Sequence, residues 1–489
     1  MAPADLLKPS TIRFSPLDTL TIVRITTLVL VWKFLSVDYT AFADLLKGPD
    51  LYPVFPSFLL PFIRSCDELL FDWPQKIQLL QITAALFLLA GAILVSRLPV
   101  LLGVLLVMLF ESTAGRYRGP LYDTELPTVL LLLTALWPRR WSTVLSDNAA
   151  LTGEATELGL CLVTYVAGAY FLAGLSKLTS NWRWWTSVRL DLLYPAIVVG
   201  HGITLPAYLD YTARLFHAAF SKWPLLENGA ALLSLAFELL WPLALVSRFA
   251  RLTLPLGMLG THLIIFLSSG LLFLPMAVTA LASVVPWRRI IPAFPRCRDP
   301  GSVSRPVRTE LRGTWDLSMR SSVGLAAALV LLSVPAVNRL SYPPLLDYHL
   351  FGFNYSAYDH PVHLYRLGYL GHSSEHVALI PMNYGGFFDY QFVTNPGTWI
   401  EAYVRARGAD DELALRDPLL QFVRAIRPPD SHRWLLGFFA APTHIVSQPV
   451  LGDRESLGRV VLLEGDRQLR DGRVSGEWRV LAELNGVGR

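Results

Sequence analysis

The stretch LGLCLVTYVAGAYFLAGLSK, Leu158–Lys177, decides the fold. Its first nineteen residues carry no charge. As a helix rising 1.5 Å per residue, such a run crosses nearly all of a hydrocarbon core of about 30 Å. Working outward, comparable apolar runs lie at 18–37, 78–96, 98–112, 125–138, 229–247, 252–270, 271–287 and 321–337. Together with 158–176 they make about nine expected spans. The continuous run 252–287 is divided at Ser268-Ser269-Gly270, where small residues permit a tight hairpin. The run 192–206 is broken by Pro195, Gly200, His201 and Gly202, and reads as a re-entrant or interfacial piece.

The whole chain agrees with this segment. Of 489 residues 53% are apolar and 16% charged, with a mean hydropathy of +0.42. Soluble chains carry about 25% charge, so both figures point to a membrane protein. A net charge of +4 with such apolar content excludes a disordered or nucleic-acid-binding chain. Three cysteines, Cys66, Cys161 and Cys297, make no disulfide framework.

Charge placement orients the spans, because cytoplasmic loops collect Lys and Arg. The loop 288–320 holds eight Arg against three acids. Alternation from there puts Arg248 and Arg251, Arg139 and Arg140, Arg97, and the N-terminus with Lys8 and Arg13 on the inner side. The loop 38–77, with six acids and three bases, falls outside. The expectation is an α-helical integral membrane bundle over 1–339, N-terminus in and C-terminus out. Its first run, too long for a signal peptide and carrying Arg24 and Lys33, acts as an uncleaved anchor. Residues 340–489 regain charge and turn signals. Alternating runs such as 459–463 and 473–483 make this an extracytoplasmic soluble domain, β-rich or α+β, with 411–426 a helical candidate.

An ionisable group at membrane depth is a functional hypothesis by default. Lys is scarce here, six against 36 Arg, which base composition explains; Lys177 nonetheless closes the deciding span and is followed by Asn181-Trp182-Arg183-Trp184-Trp185. Held among apolar and aromatic groups, an amine has its charged form disfavoured and becomes a usable base. A Lys snorkelling to an interface beside an aromatic belt has the same sequence pattern. Glu238, inside 229–247, suits either structural pairing, with Arg24 of the first span a candidate base, or catalysis. His262 sits mid-span, where an imidazole serves proton transfer or an interhelical hydrogen bond. Ahead of the span 125–138, the loop residues Tyr122, Asp123 and Glu125 form a polar cap.

His349, His360, His363, His372 and His376 include H-x-x-H and H-x-x-x-H spacings without a third ligand type, so no metal is expected. Asn354-Tyr355-Ser356 matches a glycosylation acceptor. No Walker loop, dinucleotide glycine fingerprint, H-E-x-x-H or G-x-S-x-G occurs.

The segment Tyr170-Phe171-x-Ala173-Gly174-x-x-Lys177-Leu178-x-x-x-Trp182 resembles the signature of the vitamin K-dependent gamma-glutamyl carboxylase family, whose membrane part is called the horizontally transferred transmembrane domain. Supporting similarities are Arg24 in Leu20–Ile25, Gly119–Pro127 before a span, His262 with Gly270, and Phe237–Pro242, an acidic motif that lipase maturation factors share. The resemblance covers roughly residues 15–290. It implies that Lys177 is the base that deprotonates a reduced vitamin K or another quinol, whose reaction with oxygen then supports carboxylation of a glutamate. Ser176, Asp123 and Ile265 depart from the family's pattern. What carries over is a membrane-embedded base acting on a lipid-soluble, quinol or isoprenoid-like substrate, in place of peptide carboxylation as such.

The expected site therefore joins catalytic Lys177, His262 and Glu238 with substrate-binding Tyr122, Asp123, Glu125, Tyr170, Phe171, Trp182, Trp185 and Arg24, with Trp184 in the same aromatic cluster. The expected partners are the bilayer and a hydrophobic small molecule or peptide. Two other readings stand beside it. One is a membrane isoprenoid cyclase, in which Asp123 or Glu125 donates the proton and aromatic faces stabilise cations. The other is a non-catalytic maturation or immunity-type binding protein.

Overall fold

A computed structural model describes residues 16–36, 39, 60–118, 122–137, 152–180, 182–195, 207–245, 247–269, 273–285 and 287, with seven strands between 341 and 484. The interpretable part is mostly helical. In chain order the longer helices are α1 (Pro16–Ser36), α2 (Leu60–Leu70), α3 (Pro74–Leu94), α4 (Arg97–Arg118), α5 (Tyr122–Ala135) and α6 (Thr152–Ser180). They continue with α7 (Ala207–Lys222), α8 (Pro224–Leu240), α9 (Arg248–Ser269) and α10 (Leu274–Val284). Among the described residues, four helical segments are long and apolar enough to cross a bilayer: Pro74–Leu94, Glu157–Thr179, Pro224–Leu245 and Phe249–Ser269.

Eight of the nine expected spans coincide with helices, but not all have span dimensions. Fourteen residues in α5 and eleven in α10 reach only about two thirds of the core thickness or less. The 21-residue α1 carries Asp18, Arg24 and Lys33. Hydropathy recognises apolar content, and a buried helix of a polytopic bundle has the same content as a lipid-facing one. The expected span 321–337, the Arg-rich loop 288–320 and the stretch 196–206 lie outside the described residues, as do 411–426, Asn354 and the side chains of the five C-terminal histidines.

α6 is the axis of the bundle. α1, α5, α8, α10 and the 3-10 turn Trp241–Leu245 all pack on it. Leu162, Tyr165, Val166 and Ala169 of α6 form one buried cluster with Leu126 and Leu130 of α5, Trp241, and Met258 of α9. On the periphery the pattern inverts. Leu79, Ile82, Leu86 and Ile93 of α3 and Leu232, Leu233 and Leu240 of α8 are 45–69% exposed. Apolar faces of this extent suit contact with acyl chains and would be an aggregation liability in water.

Two helices escape the hydropathy reading. α2 lies in the expected outer loop, and its Asp67 accepts a 2.7 Å bond from the Thr113 hydroxyl of α4. α7, with Asp210, Arg214 and Lys222, is too polar to be a span and packs against α9, α8 and the turn Leu190–Leu192.

The strands are β1 (Ser341–Tyr342), β2 (Leu345–Leu346), β3 (Val362–Leu370), β4 (Val377–Leu379), β5 (Arg459–Arg470), β6 (Arg473–Ser475) and β7 (Trp478–Leu484). β1 and β2 pair alone. The others form an antiparallel sheet ordered β4-β3-β5-β6, with β7 also on β5. β3 and β5 run in register from Val362 opposite Arg467 to Leu370 opposite Arg459. The expected strands at 459–463 and 473–483 are thus found, the second split between β6 and β7.

Candidate functional site

Tyr170, Ala173 and Lys177 are three and four residues apart, which places them on one face of α6. That face meets α8 at Gly174. A Cβ on Gly174 would stand 3.0 Å from Cβ of Glu238 and 3.1 Å from Leu239, tighter than ordinary contact, so the glycine lets the helices approach closely. The close approach lets the Lys177 ammonium donate to the Glu238 carboxylate, with side chains 3% and 8% exposed. Lys177 Nζ also lies 5.0 Å from the ring centroid of Trp184, in the short helical turn Trp184–Ser187.

Two turns earlier on α6, the Tyr170 hydroxyl is 3.2 Å from His262 Nε2 of α9. Its ring stacks on Trp241, centroids 5.1 Å apart and planes 12° from parallel. Glu238 Oε2, His262 Nδ1 and Trp241 Nε1 are buried without a hydrogen-bond partner among the described residues. An amine, a carboxyl, an imidazole and a phenol thus converge around an inner pocket of about 30 Å³. That volume admits about two waters or the reacting end of a substrate.

Lys177, Thr261 and Ile265 line this pocket and also a second, larger one. The larger chamber, of about 410 Å³, lies between the turn at Trp184, α7, α8 and α9. Trp184, Val188, Leu193, Phe220, Leu226 and Ile264 are among its walls, and Lys177 is the one ionisable side chain lining it among the described residues. Its size falls within the roughly 300–1,000 Å³ of small-molecule sites, and its walls are overwhelmingly apolar.

The segment 182–195 closes the chamber and is tied down by a polar clasp that the sequence reading did not single out. Arg189 donates from Nε and from a terminal nitrogen to the two Asp191 oxygens, both at 2.8 Å. The Asp191 N–H donates to Glu227 of α8 at 3.0 Å, and the Asp191 carbonyl lies 2.6 Å from His217 Nδ1 of α7. Tyr194 donates to Asp210 at 2.8 Å. Burial pushes the Asp191 carboxyl upward, but the Arg189 pair, with Glu227 and His217, outweighs it and holds the group below the usual carboxylate range. The R-x-D spacing was the one available signal. Its partners on α7 and α8 lie 26 to 36 residues away and no local pattern announces them.

Of the expected site residues, the structure brings together Lys177, Glu238, His262 and Tyr170. Arg24 does not meet Glu238; its Nε donates to the Ala92 carbonyl of α3 at 3.3 Å, because α1 packs on α3 and is separated from α8 by α6. Glu125 is buried in α5 and lines neither cavity. The side chains of Tyr122 and Asp123, and all of Asn181, lie outside the described residues. Phe171 lines neither cavity. Trp182 is 66% exposed, with the Arg183 guanidinium 4.7 Å above its ring, and Trp185 packs edge-on to it. In place of Trp182 and Trp185, Trp184 forms the chamber wall. In a helical turn alternate neighbours face opposite ways, which repeated Trp residues conceal.

The chain matches no family model, no curated protein and no solved structure. Its class rests on fold and site: a predominantly helical chain with four helices fit to cross a bilayer, holding a buried acid–base cluster against an apolar chamber.

Proposed function

We propose that the protein is a multi-pass integral membrane enzyme performing acid–base chemistry on a lipid-soluble quinol or isoprenoid-like substrate, with Lys177 as the base. The observation that carries this is the setting of Lys177: an amine on an otherwise apolar chamber wall, joined behind that wall to Glu238. In a medium of low dielectric, a charged pair and its neutral tautomer lie close in free energy, because desolvation penalises the two charges together. A proton passing from Nζ to Glu238 frees the amine lone pair. Nζ then accepts a hydroxyl proton from a substrate in the chamber. His262 and Tyr170, at the far side of the inner pocket, orient the cluster or pass the proton on. A quinol supplies a hydroxyl whose deprotonation activates its ring towards oxygen, and a chamber with one amine and largely apolar walls fits such a ring. The resemblance of the Lys-centred motif to the vitamin K-dependent carboxylases implies the same role for Lys177.

The topology proposed with it is nine spans over 1–339, N-terminus in and residues 340–489 extracytoplasmic, supported by the eight Arg of 288–320. Single cysteines at 303 and 345, labelled from each side of intact cells, read this directly; labelling of both from one side refutes it.

The enzymatic test uses full-length protein in nanodiscs with a reduced naphthoquinone and oxygen, followed by mass spectrometry for the epoxide. Turnover by wild type and none by a Lys177→Met/Glu238→Leu pair of substitutions is the expected result. No product from wild type with this quinol, squalene or prenyl alcohols overturns the enzymatic reading and leaves a binding protein. Cyclised hydrocarbon without epoxide places the activity with the cyclases.

A further inference from the structure

Gly229, on α8, is the glycine of the chamber lining among the described residues. At Gly174 neighbouring side chains crowd a Cβ, whereas nothing lies within 4 Å of one built on Gly229. Gly in a helix interior costs about 1 kcal/mol relative to Ala. Helix packing gives no return for that cost here, because no neighbour approaches. Gly229 is exposed and lines the chamber together with Ala230 and Ala231, so the missing side chain leaves the chamber open at that wall.

The way into that volume is lateral. Leu225, Leu233 and Ile264 line the chamber and are also 88%, 54% and 38% exposed on the outside of the molecule. They belong to α8 and α9, two helices fit to cross the bilayer, so the opening between them faces hydrocarbon. The polar groups inside are few. The Thr261 and Ser268 hydroxyls donate to the carbonyls of Gly257 and Ile265, at 3.1 and 3.2 Å, and the Lys177 charge is matched by Glu238. A phosphate-bearing ligand needs several charged donors, and among the described residues the side chains lining the chamber offer one, this matched amine.

We infer that Gly229 is the size-determining residue of a chamber for an uncharged lipid-soluble molecule with a single polar end, admitted from the bilayer between α8 and α9. The molecule rests its polar end on Lys177 and its apolar body along Gly229–Ala231. The inference deepens the proposed function by naming the ligand class, and rests on it for the orientation towards Lys177.

The test measures binding without turnover. Full-length protein in nanodiscs is irradiated with a diazirine-bearing farnesol, neutral and single-headed, or with its diphosphate, and labelled peptides are mapped by mass spectrometry. The neutral probe is expected to label 225–234 or 261–268 and to be displaced by excess farnesol, while the diphosphate labels neither. Gly229→Phe fills the chamber and is expected to lower that labelling at least about tenfold. Gly260→Phe is the control, since Gly260 also has open space around a Cβ but lines neither cavity. A Gly229→Ala, Gly229→Leu series gives a graded loss and guards against a misfolded Phe variant. Labelling that ignores residue 229, or equal labelling by the diphosphate, overturns the inference. Labelling as expected with no turnover of any substrate removes the enzymatic proposal and leaves the chamber. Turnover that residue 229 does not affect removes the chamber's role and leaves the enzyme.

Discussion

The Lys177–Glu238 pair is the costliest feature of the bundle to disturb, and a double-mutant cycle measures it. Both side chains are more than nine-tenths buried, so removing one partner leaves the other without compensation. Lys177→Met isolates a carboxylate that has only the inner pocket around it, and a loss of about 3–5 kcal/mol is expected. Glu238→Leu leaves an ammonium that keeps the face of Trp184 at 5.0 Å. A partly desolvated cation–π contact is worth about 1–2 kcal/mol, so this variant should fall at the lower end of that range. The double substitution replaces two charges by apolar groups of similar bulk and is expected to return to within about 1 kcal/mol of wild type. The coupling is then several kcal/mol, and insensitive to salt because the pair is dry. Reversible SDS unfolding in mixed micelles, followed by tryptophan fluorescence, supplies the four stabilities. Single losses below about 1 kcal/mol with an additive double variant would refute the reasoning, since exposed pairs behave that way.

Further predictions concern the rest of the site and its supports. Tyr170→Phe keeps the stack on Trp241 but leaves His262 Nε2 buried without its partner, and should cost about 1–3 kcal/mol in the same unfolding assay. Gly174→Ala sets a methyl 3.0 Å from Cβ of Glu238, which is fixed to the α8 backbone and yields only if the helices shift by a few tenths of an ångström. That strain outweighs the helix-propensity gain of about 1 kcal/mol, and a net loss of about 1 kcal/mol is expected, with turnover reduced alongside stability. The Asp191 carboxyl is held below its ordinary value of 3.8, so the clasp contributes stability above that pH and loses it as pH falls through the lower folded value. Hydrogen exchange of 182–195, corrected for intrinsic rates, should therefore rise below about pH 4 in wild type and show no such step in Asp191→Asn. Val95 closes α3 in the left-handed region at φ 52°, an arrangement that costs an L-residue about 1–2 kcal/mol, so Val95→Gly should raise stability by up to about 1 kcal/mol.

The helical membrane class was legible because it depends on run length and apolarity, both local. The expected span 158–176 lies within three residues of the apolar segment Glu157–Thr179, although its helix begins six residues earlier at Thr152. The segments Pro74–Leu94, Pro224–Leu245 and Phe249–Ser269 coincide with expected runs within about five residues. Span status was less legible, since α5 and α10 are as apolar as spans but only about two thirds and half their length. Amphipathic α7 was invisible to hydropathy although it supplies Phe220 to the chamber. Among the site residues, Lys177, Glu238 and His262 stood out because charge at membrane depth is costly wherever the chain folds. Their mutual contact was not legible: 61 residues separate Lys177 from Glu238, and Arg24 was an equally good partner on paper. The choice of Trp184 over Trp182 and Trp185 depended on the direction of one short helical turn.

The amino-acid sequence by itself determined that the chain partitions its apolar helices into a membrane-type bundle, which ionisable groups are carried into it, and where charge returns beyond residue 340. Those properties follow from the transfer free energy of each residue and add along the chain. Only the tertiary structure decided that Lys177 rather than Arg24 pairs with Glu238, that Gly174 lies where the two helices meet, and that Gly229 leaves a chamber open beside them. Pairings and cavities depend on which helix faces meet, and that is settled by close packing among segments far apart in sequence.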